Sequence, residues 1–398
     1  MIKQHLPHLD DLLVERGLQG VTDFSNHVEH IIKHLIDESD PSTQIGQKVD
    51  GSMMVLAGSD PFTGDFFVST KSGLSQKNPR RCFCHADIEH YYEDMQGDVY
   101  KTLLAVFDAL VDDPRFTHSY VYQMEVLWWD INQLDIDREM SHVSLTPNII
   151  PYHYSTIHHA KDTPIGLVVH DRYTPFKGEG QHMILDKRSR AYDINVINRN
   201  ENVTFFDGTI TIDAGFRTHD IITIQAALDG LVKPEFYSDL FLEALPKISK
   251  YLQKYLRSTL LQDDNIYTAA KAGDSINHAL LLKDFVAWLR DVMLEEASKL
   301  KTSKGQQRKK DEFNRLHMLM CTAEIESVIW KIYWMVRIKG LLLDHLENGN
   351  KLNSILQPGL NYSSNTIGEG FVHFMGDDHV KLVDKLYFTK THIQHNRK

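Results

Sequence analysis

The chain has 398 residues, of which 42% are hydrophobic and 24% are charged, and its formal net charge is −11. This composition is typical of a globular protein with one large domain or two ordinary domains. The negative charge argues against a protein that coats nucleic acid by bulk charge, although it leaves room for a local basic surface.

Other features of the composition bear on where the protein works. No apolar run approaches the roughly 18 residues that a membrane helix needs. Residues 1–5 lack the apolar core of a signal peptide. The chain has three cysteines, which favour a reducing compartment over a disulfide scaffold. We therefore expect a cytoplasmic protein without a membrane partner.

The first motif that carries chemistry is Lys48-Val49-Asp50-Gly51. It follows a predicted helical segment, residues 4–36, and precedes two strand-like runs, residues 53–58 and 65–70. The turn between these runs predicts a β-hairpin with Lys48 at its mouth. A lysine at the opening of a sheet is a candidate nucleophilic amine, and Gly51 allows a ligand to approach the backbone closely. The alternative is a surface lysine before an Asp-Gly turn.

Two candidates for binding follow the hairpin. Ser69–Gly73 places a hydroxyl, the cation of Lys71 and a glycine at a strand end, which suits phosphate contact. A solvated turn has the same composition. Cys82-Phe83-Cys84-His85 supplies half of a zinc site, but the sequence has no second half with zinc-finger spacing.

The middle of the chain predicts a helix at residues 86–113 and then a series of strands. The apolar run at residues 120–128 contains Glu125, and a carboxylate in such a strand is uncommon unless it is paired or functional. A salt bridge to a neighbouring strand is the alternative. Residues 165–171 end in two polar groups, as a central strand does where it meets a cleft. Shorter strand-like segments occur at residues 144–154, 203–212 and 221–224.

From about residue 225 the pattern is helical, at residues 235–261, 276–300 and 311–347. The segment Lys299–Lys310 lies between the last two helices and has no acidic residue. It is either a solvated linker or a contact for a polyanion such as nucleic acid.

The strand pattern returns near the end of the chain. Residues 368–374 carry Glu369, and residues 379–386 carry Lys381 and Lys385. A turn separates the two runs, so we predict a second hairpin with a carboxylate on one arm and lysines on the other.

Taken in order, these motifs resemble those of the covalent nucleotidyltransferase superfamily, which includes ATP-dependent RNA and DNA ligases and RNA capping enzymes. Six segments match, in chain order, motif I, the short motif after it, and motifs III, IIIa, IV and V: Lys48–Gly51, Thr70–Gly73, Glu125, Ile165–Asp171, Glu369–Val372 and Val380–Val383. The spans beside motif I, with Thr146-Pro147-Asn148, also resemble uncharacterised RNA-ligase-like proteins of tailed phages.

The resemblance implies that ATP adenylylates Lys48 and that the AMP passes to the 5′-phosphate of a polynucleotide, RNA more than DNA. It implies that Glu125 and Glu369 hold Mg²⁺ or the ribose, and that Lys381, with Lys385 or Lys71, neutralises phosphate charge. The nucleotide-binding positions implied as well are Asp50, Gly51 and Leu167. An amine attacks phosphorus only when it is unprotonated, so this chemistry requires burial or a neighbouring cation to lower a lysine pKa.

Three features depart from the superfamily pattern, and the first is Met53 or Met54 in place of an arginine that DNA ligases often have shortly after motif I. Motif IIIa often has an aromatic residue four positions before its aspartate, where it stacks on the purine, and this chain has Leu167 there. Motif V usually has two lysines one residue apart, whereas Val383 holds the second place and Lys385 lies two positions further on.

The resemblance implies an α+β fold of the ligase type, with antiparallel sheets flanked by helices and a large all-helical insertion. We assign the nucleotidyltransferase core to residues 1–224 and 360–398, and the insertion to residues 225–359. Only residues 386–398 follow Lys385, which favours an RNA-ligase-like arrangement over the OB-fold domain of DNA ligases and capping enzymes.

Two other functions fit the same residues. The core transfers AMP to a protein or to a small molecule instead of a polynucleotide. Alternatively, a degenerate core binds nucleotide or nucleic acid without catalysis.

Overall fold

The structure is a computed structural model. It describes the following residues: 7–36, 43–49, 51–75, 78–95, 97–116, 120–137, 142–148, 151–155, 163–175, 183–185, 202–206, 218–233, 235–262, 265–348, 357–358, 370–375, 378–387 and 389.

The described chain is an α+β protein with several antiparallel sheets, which confirms the general class that the sequence predicts. It divides into two compact units, each built from three pieces of the chain. The first unit comprises residues 1–5, 44–212 and 351–378, and the second comprises residues 6–43, 213–350 and 379–398. The domain assignment made from the sequence stays a prediction.

The strands are β1 Thr43–Gln47, β2 Met53–Ser59, β3 Phe66–Ser69, β4 Val121–Trp128, β5 Asp135–Asp137, β6 His142–Leu145, β7 Tyr152–Ser155, β8 Ile165–Pro175, β9 Met183–Leu185, β10 Val203–Phe206, β11 Gln357–Pro358, β12 Phe371–Met375 and β13 Asp378–Leu382. The helices are α1 Leu12–Arg16, α2 Gln19–Ile36, α3 His85–Tyr92, α4 Val99–Leu110, α5 Thr218–Leu231, α6 Asp239–Ser258, α7 Ile266–Ala272, α8 His278–Ser298, α9 Ser303–Met320 and α10 Ala323–Asn348.

A six-stranded sheet forms the centre of the first unit, with the order β10–β8–β4–β2–β3 and with β9 paired to β8. Its pairs are antiparallel except for the parallel pair of β10 and β8. The predicted hairpin of β2 and β3 is present, with Leu56 opposite Ser69. A separate sheet has the order β11–β7–β6–β5, and β1 lies beside β12.

The two faces of the six-stranded sheet bury different cores because side chains alternate along a strand. On one face α4 packs against β2, β3 and β8, over a core that includes Val55, Met124 and Val126. On the other face, Val49, Trp128 and Val168 pack with the aromatic and aliphatic side chains of β6, β7 and β10. This second face is the one next to the Lys48 motif.

The second unit is mainly helical. The strongly amphipathic helix α6 buries Phe241, Leu245, Ile248 and Leu252 on one side, as its helical spacing predicts. The long helix α10 packs against α5, α7 and α8, and α9 packs against α8 and α6. Among the described residues, no helix is long and apolar enough to cross a membrane.

Three local predictions in this unit are wrong. Residues 221–224, predicted as strand, lie inside helix α5. The strand preference of this short β-branched run is therefore outweighed by its helical context. The helix predicted over residues 311–347 is two helices, which meet where Thr322 donates a hydrogen bond back to the Leu319 carbonyl at 2.8 Å. The predicted linker Lys299–Lys310 is helical from Ser303, and Thr302 caps that helix by accepting from the Gly305 N–H at 3.1 Å.

Candidate functional site

Lys48 lies directly after β1, and its side chain is half-buried. Its backbone N–H donates a hydrogen bond to the Gly370 carbonyl oxygen at 2.8 Å. Gly370 has a φ of 102°, a left-handed conformation that glycine adopts without a steric penalty. Since Gly370 belongs to the Glu369–Val372 motif, two motifs that are more than 300 positions apart meet at this hydrogen bond.

Gly51 is fixed by the protein itself. A Cβ atom at this position would lie 2.3 Å from the Val126 carbonyl oxygen of β4, so no other residue fits without a backbone shift. The next residue, Ser52, donates to the same carbonyl oxygen from its N–H at 2.8 Å and from its hydroxyl at 3.1 Å. The sequence predicted that Gly51 admits a ligand, whereas the close neighbour in the structure is the backbone of β4.

Glu125 precedes Val126 and is half-buried in the middle of the sheet, between Met54 of β2 and Val168 of β8. Its neighbours Met124 and Val126 face the core under α4, so Glu125 faces the opposite side. Val168 lies on that opposite side and packs with Val49, the residue after Lys48. The structure therefore places Glu125 on the sheet face next to the Lys48 motif.

His170 belongs to the same region, although it was not among the predicted site residues. The register of β8 against β4 shifts between Val169 and Asp171, which leaves His170 as the extra residue of a β-bulge. Bulges of this kind re-aim a side chain. The His170 Nε2 atom lies 2.9 Å from the Val49 carbonyl oxygen. The signal in the sequence was the pair of polar residues that interrupts the apolar run of β8.

Lys71 follows β3 in a short 3₁₀ turn, Lys71–Leu74, and its side chain is exposed. Thr70 caps this turn, and the hydroxyls of Thr70, Ser72 and Tyr92 hydrogen-bond one another at 2.9 to 3.2 Å. Since β3 is antiparallel to β2, the exit of β3 and the entry of β2 lie at the same end of the sheet. Lys71 is therefore at the end where the Lys48 motif enters.

Leu167 does not join this group. It is fully buried in the core under α4, and its partner across the sheet is Val126. The sequence implied a position that stacks on a purine. The alternation of side chains along β8 turns Leu167 to the face opposite Val168, and its role in nucleotide binding stays a prediction.

Lys385 is also elsewhere, in the second unit. Its Nζ donates to Asp10 at 2.9 Å and to Asp11 at 2.8 Å, and the side chain is 9% exposed. Burial alone lowers the pKa of Lys385, but Asp10, Tyr267 and Asp11 together raise it above the ordinary value. This ammonium is paired inside the second unit, and its role in phosphate binding stays a prediction.

The partner of Lys385 is shared with a second buried lysine. Asp10 is fully buried and also lies 3.0 Å from the Nζ of Lys339 on α10. Although burial raises the pKa of Asp10, Lys339 and Lys385 hold it below the ordinary value. Lys339 in turn donates to the Val383 carbonyl at 3.0 Å. We name Asp10, Asp11, Lys339 and Lys385 the buried ionic cluster.

The remaining predicted residues are not all placed. Asp50 and Glu369 lie outside the described residues. Lys381 is on β13 in the second unit, where its N–H donates to the Pro7 carbonyl at 2.8 Å. The Cys82 thiol is buried, and burial followed by Asp87 raises its pKa to about 12, which disfavours the thiolate that a metal needs.

The described residues contain no group of three or more histidine, cysteine or acidic side chains that can hold a metal ion. Mg²⁺ does not require such a group, because it binds through one or two carboxylates together with substrate phosphates and water. Glu125 is a single half-buried carboxylate on this face of the sheet.

These features define an α+β protein in which a lysine motif meets a glycine of a second motif at a backbone hydrogen bond, next to the face of the mixed sheet that carries Glu125. Residues 3–397 match the model of a family of unknown function (DUF6267), so the chain belongs to that family. No curated protein and no solved structure matches the chain.

Proposed function

We propose that this protein is an ATP-dependent nucleotidyltransferase of the RNA-ligase type, with the ligase-type fold in its first unit and Lys48 as the nucleophile. One observation carries the proposal. The backbone contacts of Lys48 with Gly370 and of Ser52 with Val126 join three segments, and each segment resembles a different motif of that superfamily.

In the first step, the unprotonated Nζ of Lys48 attacks the α-phosphorus of ATP. A P–N bond forms, the bond between the α-phosphorus and the bridging oxygen breaks, and pyrophosphate leaves with the electron pair. The backbone contacts of Gly51 and Ser52 with β4 fix the loop that carries the nucleophile, and such positioning lowers the entropic part of the barrier.

In the second step, an oxygen of a 5′-phosphate on the acceptor attacks the phosphorus of the lysyl–AMP. The P–N bond breaks, Lys48 recovers its amine, and the acceptor carries AMP through a new pyrophosphate linkage. A 3′-hydroxyl then attacks the acceptor phosphate and releases AMP. Glu125 would hold Mg²⁺, which would supply charge stabilisation at the phosphates. Lys71 is a further candidate for phosphate contact at the same end of the sheet.

The experiment that tests the function uses the purified chain, ATP, Mg²⁺ and single-stranded RNA with either a 5′-phosphate or a 5′-hydroxyl. We expect adenylylated and joined products from the 5′-phosphorylated RNA alone. Lys48→Ala removes both products, and Lys101→Ala, an exposed lysine of α4, retains them. A lysyl–AMP adduct without any RNA product assigns the AMP to a protein or small-molecule acceptor instead.

A second candidate function has its own support. The position implied for purine stacking is a core leucine, Leu167, and the second lysine of motif V is neutralised by Asp10 and Asp11. Both features favour a degenerate core that binds nucleotide or nucleic acid without catalysis. Saturable ATP binding with no covalent adduct on Lys48 would select this candidate.

The resemblance also assigns Lys381 to the reaction. The adduct yield of Lys381→Ala tests this role. We expect a loss of adduct, with the stability of the variant measured in parallel because the Lys381 backbone is part of the second unit.

A further inference from the structure

We propose that helices α6 and α9 of the second unit form a binding surface for the phosphate backbone of a single-stranded nucleic acid. The surface consists of Lys247, Lys250 and Lys254 on α6 and of Lys304 and Arg308 on α9, and we name it the basic strip. This inference deepens the proposed function and rests on it only in one respect, that the bound strand is the acceptor of the AMP.

The two helices lie side by side in antiparallel directions. Three contacts fix the alignment: Arg315 with Glu243, Lys247 with Glu312, and Lys309 with Tyr251. In these three pairs the residue numbers rise along α6 while those of their partners fall along α9. Continuing the same register by one turn places Lys254 beside the start of α9.

Helical spacing puts each set of cations on one side of its helix. Lys247, Lys250 and Lys254 are separated by three and four positions, and Lys304 and Arg308 by four. The buried face of α6 contains Phe241, Ile248 and Leu252, so its lysines lie away from the core. The span from Lys247 to Lys254 is about 10 Å along the helix axis.

Several of these cations have no counter-ion in the part of the chain that the structure describes. Lys250, Lys304 and Arg308 are exposed and make no ion pair among the described residues. Lys254 lies over the ring of Tyr251, with its Nζ 5.4 Å from the ring centre. The acidic residues nearby are already engaged, since Glu296 and Glu312 both bind Lys309.

The cations of α6 and α9 lie close enough to act on one another, although the chain as a whole is acidic. The pKa of Lys247 is lowered, first by burial and then by the neighbouring cations Lys309 and Arg315, in spite of its contact with Glu312. Helix stability does not explain Lys304, because a positive charge in the first turn of α9 opposes the helix dipole. A function that uses the charge explains it better.

The chemistry of the strip favours a nucleic acid over a protein partner. Protein interfaces depend on buried aromatic and apolar anchors, whereas the strip positions carry only lysine and arginine. Lysine and arginine side chains bind phosphate oxygens without regard to sequence, and this binding weakens steeply with salt.

The test is the fluorescence anisotropy of a labelled single-stranded RNA titrated with the full chain at 50 and 200 mM salt. We expect the triple variant Lys250→Gln, Lys254→Gln, Arg308→Gln to bind at least about 10-fold more weakly at the lower salt. Its log–log salt slope should fall in magnitude by about 2, since each phosphate contact on a single strand contributes about 0.7. The matched control Lys233→Gln, Lys283→Gln, Arg290→Gln removes the same charge from exposed positions of the same unit and should bind like the wild type.

The outcomes separate this proposal from the proposed function, because adenylylation by ATP is measured on the same proteins without RNA. If no adduct forms but RNA binding depends on the basic strip, the binding proposal is supported and the proposed nucleotidyl transfer is contradicted. If the triple variant binds RNA with wild-type affinity, the proposed binding surface is contradicted, whether or not the AMP adduct forms. Competition by polyglutamate as strong as by unlabelled RNA, or binding to anionic vesicles without RNA binding, would also overturn it.

Discussion

The surroundings of Lys385 in the second unit differ from those of the Lys48 motif in the first. In the second unit, Asp10 and Asp11 neutralise Lys385, and Lys339 shares Asp10, so every charged side chain of the buried ionic cluster has a partner of opposite sign. In the first unit, Glu125 is half-buried on a sheet face beside Val168, and the adjoining Lys48 motif is held through backbone hydrogen bonds.

This difference shows how the surroundings of a lysine decide between a role in stability and a role in catalysis. A buried lysine held by two carboxylates is always charged and cannot serve as a nucleophile. The loop that carries the Lys48 motif is fixed through backbone hydrogen bonds, and such positioning lowers the entropic part of a reaction barrier. Lys385 has the first environment and Lys48 the second, although both resembled motif lysines in the sequence.

Removal of Lys385 should have the largest effect on stability. Lys385→Ala leaves Asp10 and Asp11 buried with less compensation, so we expect the free energy of unfolding to fall by about 3–5 kcal/mol. Urea unfolding of the full chain, followed by circular dichroism, measures it. A variant with wild-type stability and reduced ATP binding would contradict the structural role and support the phosphate-binding role.

Leu167→Ala should be nearly as costly. The side chain is fully buried under α4, and deletion of a buried leucine side chain costs about 2–5 kcal/mol. Leu167→Met, which conserves volume, should cost less than about 1.5 kcal/mol. Thermal unfolding checks both. If Leu167→Ala unfolds like the wild type but binds ATP more weakly, Leu167 contacts the nucleotide after all.

His8 and Glu347, both in the second unit, should make opposite contributions to the pH dependence of stability. Burial, followed by the charge of Lys385, lowers the pKa of His8 to about 2, so the unfolded chain takes up a proton below about 6.5 that the folded chain refuses. This contribution is present above pH 6.5 and is lost as the pH falls. Burial, followed by Asp384 and Asp344, raises the pKa of Glu347 to about 7, so its contribution is lost as the pH rises from about 4.5 to 7.

The two effects oppose each other in the wild type, so single variants are needed to see them. We expect the stability difference between wild type and His8→Asn to grow in favour of the wild type between pH 5 and pH 7. The difference between wild type and Glu347→Gln should change in the opposite direction. Urea midpoints at three pH values measure both, and parallel curves for all three proteins would contradict these protonation states.

The smallest expected effect is at Lys271, which pairs with Asp384 at 2.7 Å but has a half-exposed side chain. Lys271→Ala should cost less than about 1 kcal/mol, because water screens the pair. Urea unfolding beside Lys385→Ala measures the contrast between an exposed and a buried ion pair. Equal losses for the two variants would remove the distinction.

Much of the first unit was predictable, because its strands are long and their apolar patterns are clear. The hairpin of β2 and β3, the strand that carries Glu125, and the run of β8 were all expected from the sequence. The face on which Leu167 lies was not, since it depends on the pairing register of β8 with β4. The bulge at His170 depends on the same pairing.

The buried ionic cluster was beyond sequence reasoning for a different reason. Lys385 and Asp10 are 375 positions apart, and nothing in the local pattern of either residue points to the other. The basic segment at residues 299–310 was ambiguous because lysine and arginine form helices as readily as they remain solvated. The cap at Thr302 and the packing of α9 on α6 and α8 decide in favour of the helix.

The intact mass of the protein after incubation with ATP and Mg²⁺ tests the central claim most directly, with Lys48→Ala and Lys101→Ala treated in parallel. The account predicts one added AMP on the wild type and on Lys101→Ala, none on Lys48→Ala, and loss of the adduct when pyrophosphate is added. An unmodified starting protein that gains no AMP across pH and divalent metals would contradict Lys48 as the nucleophile.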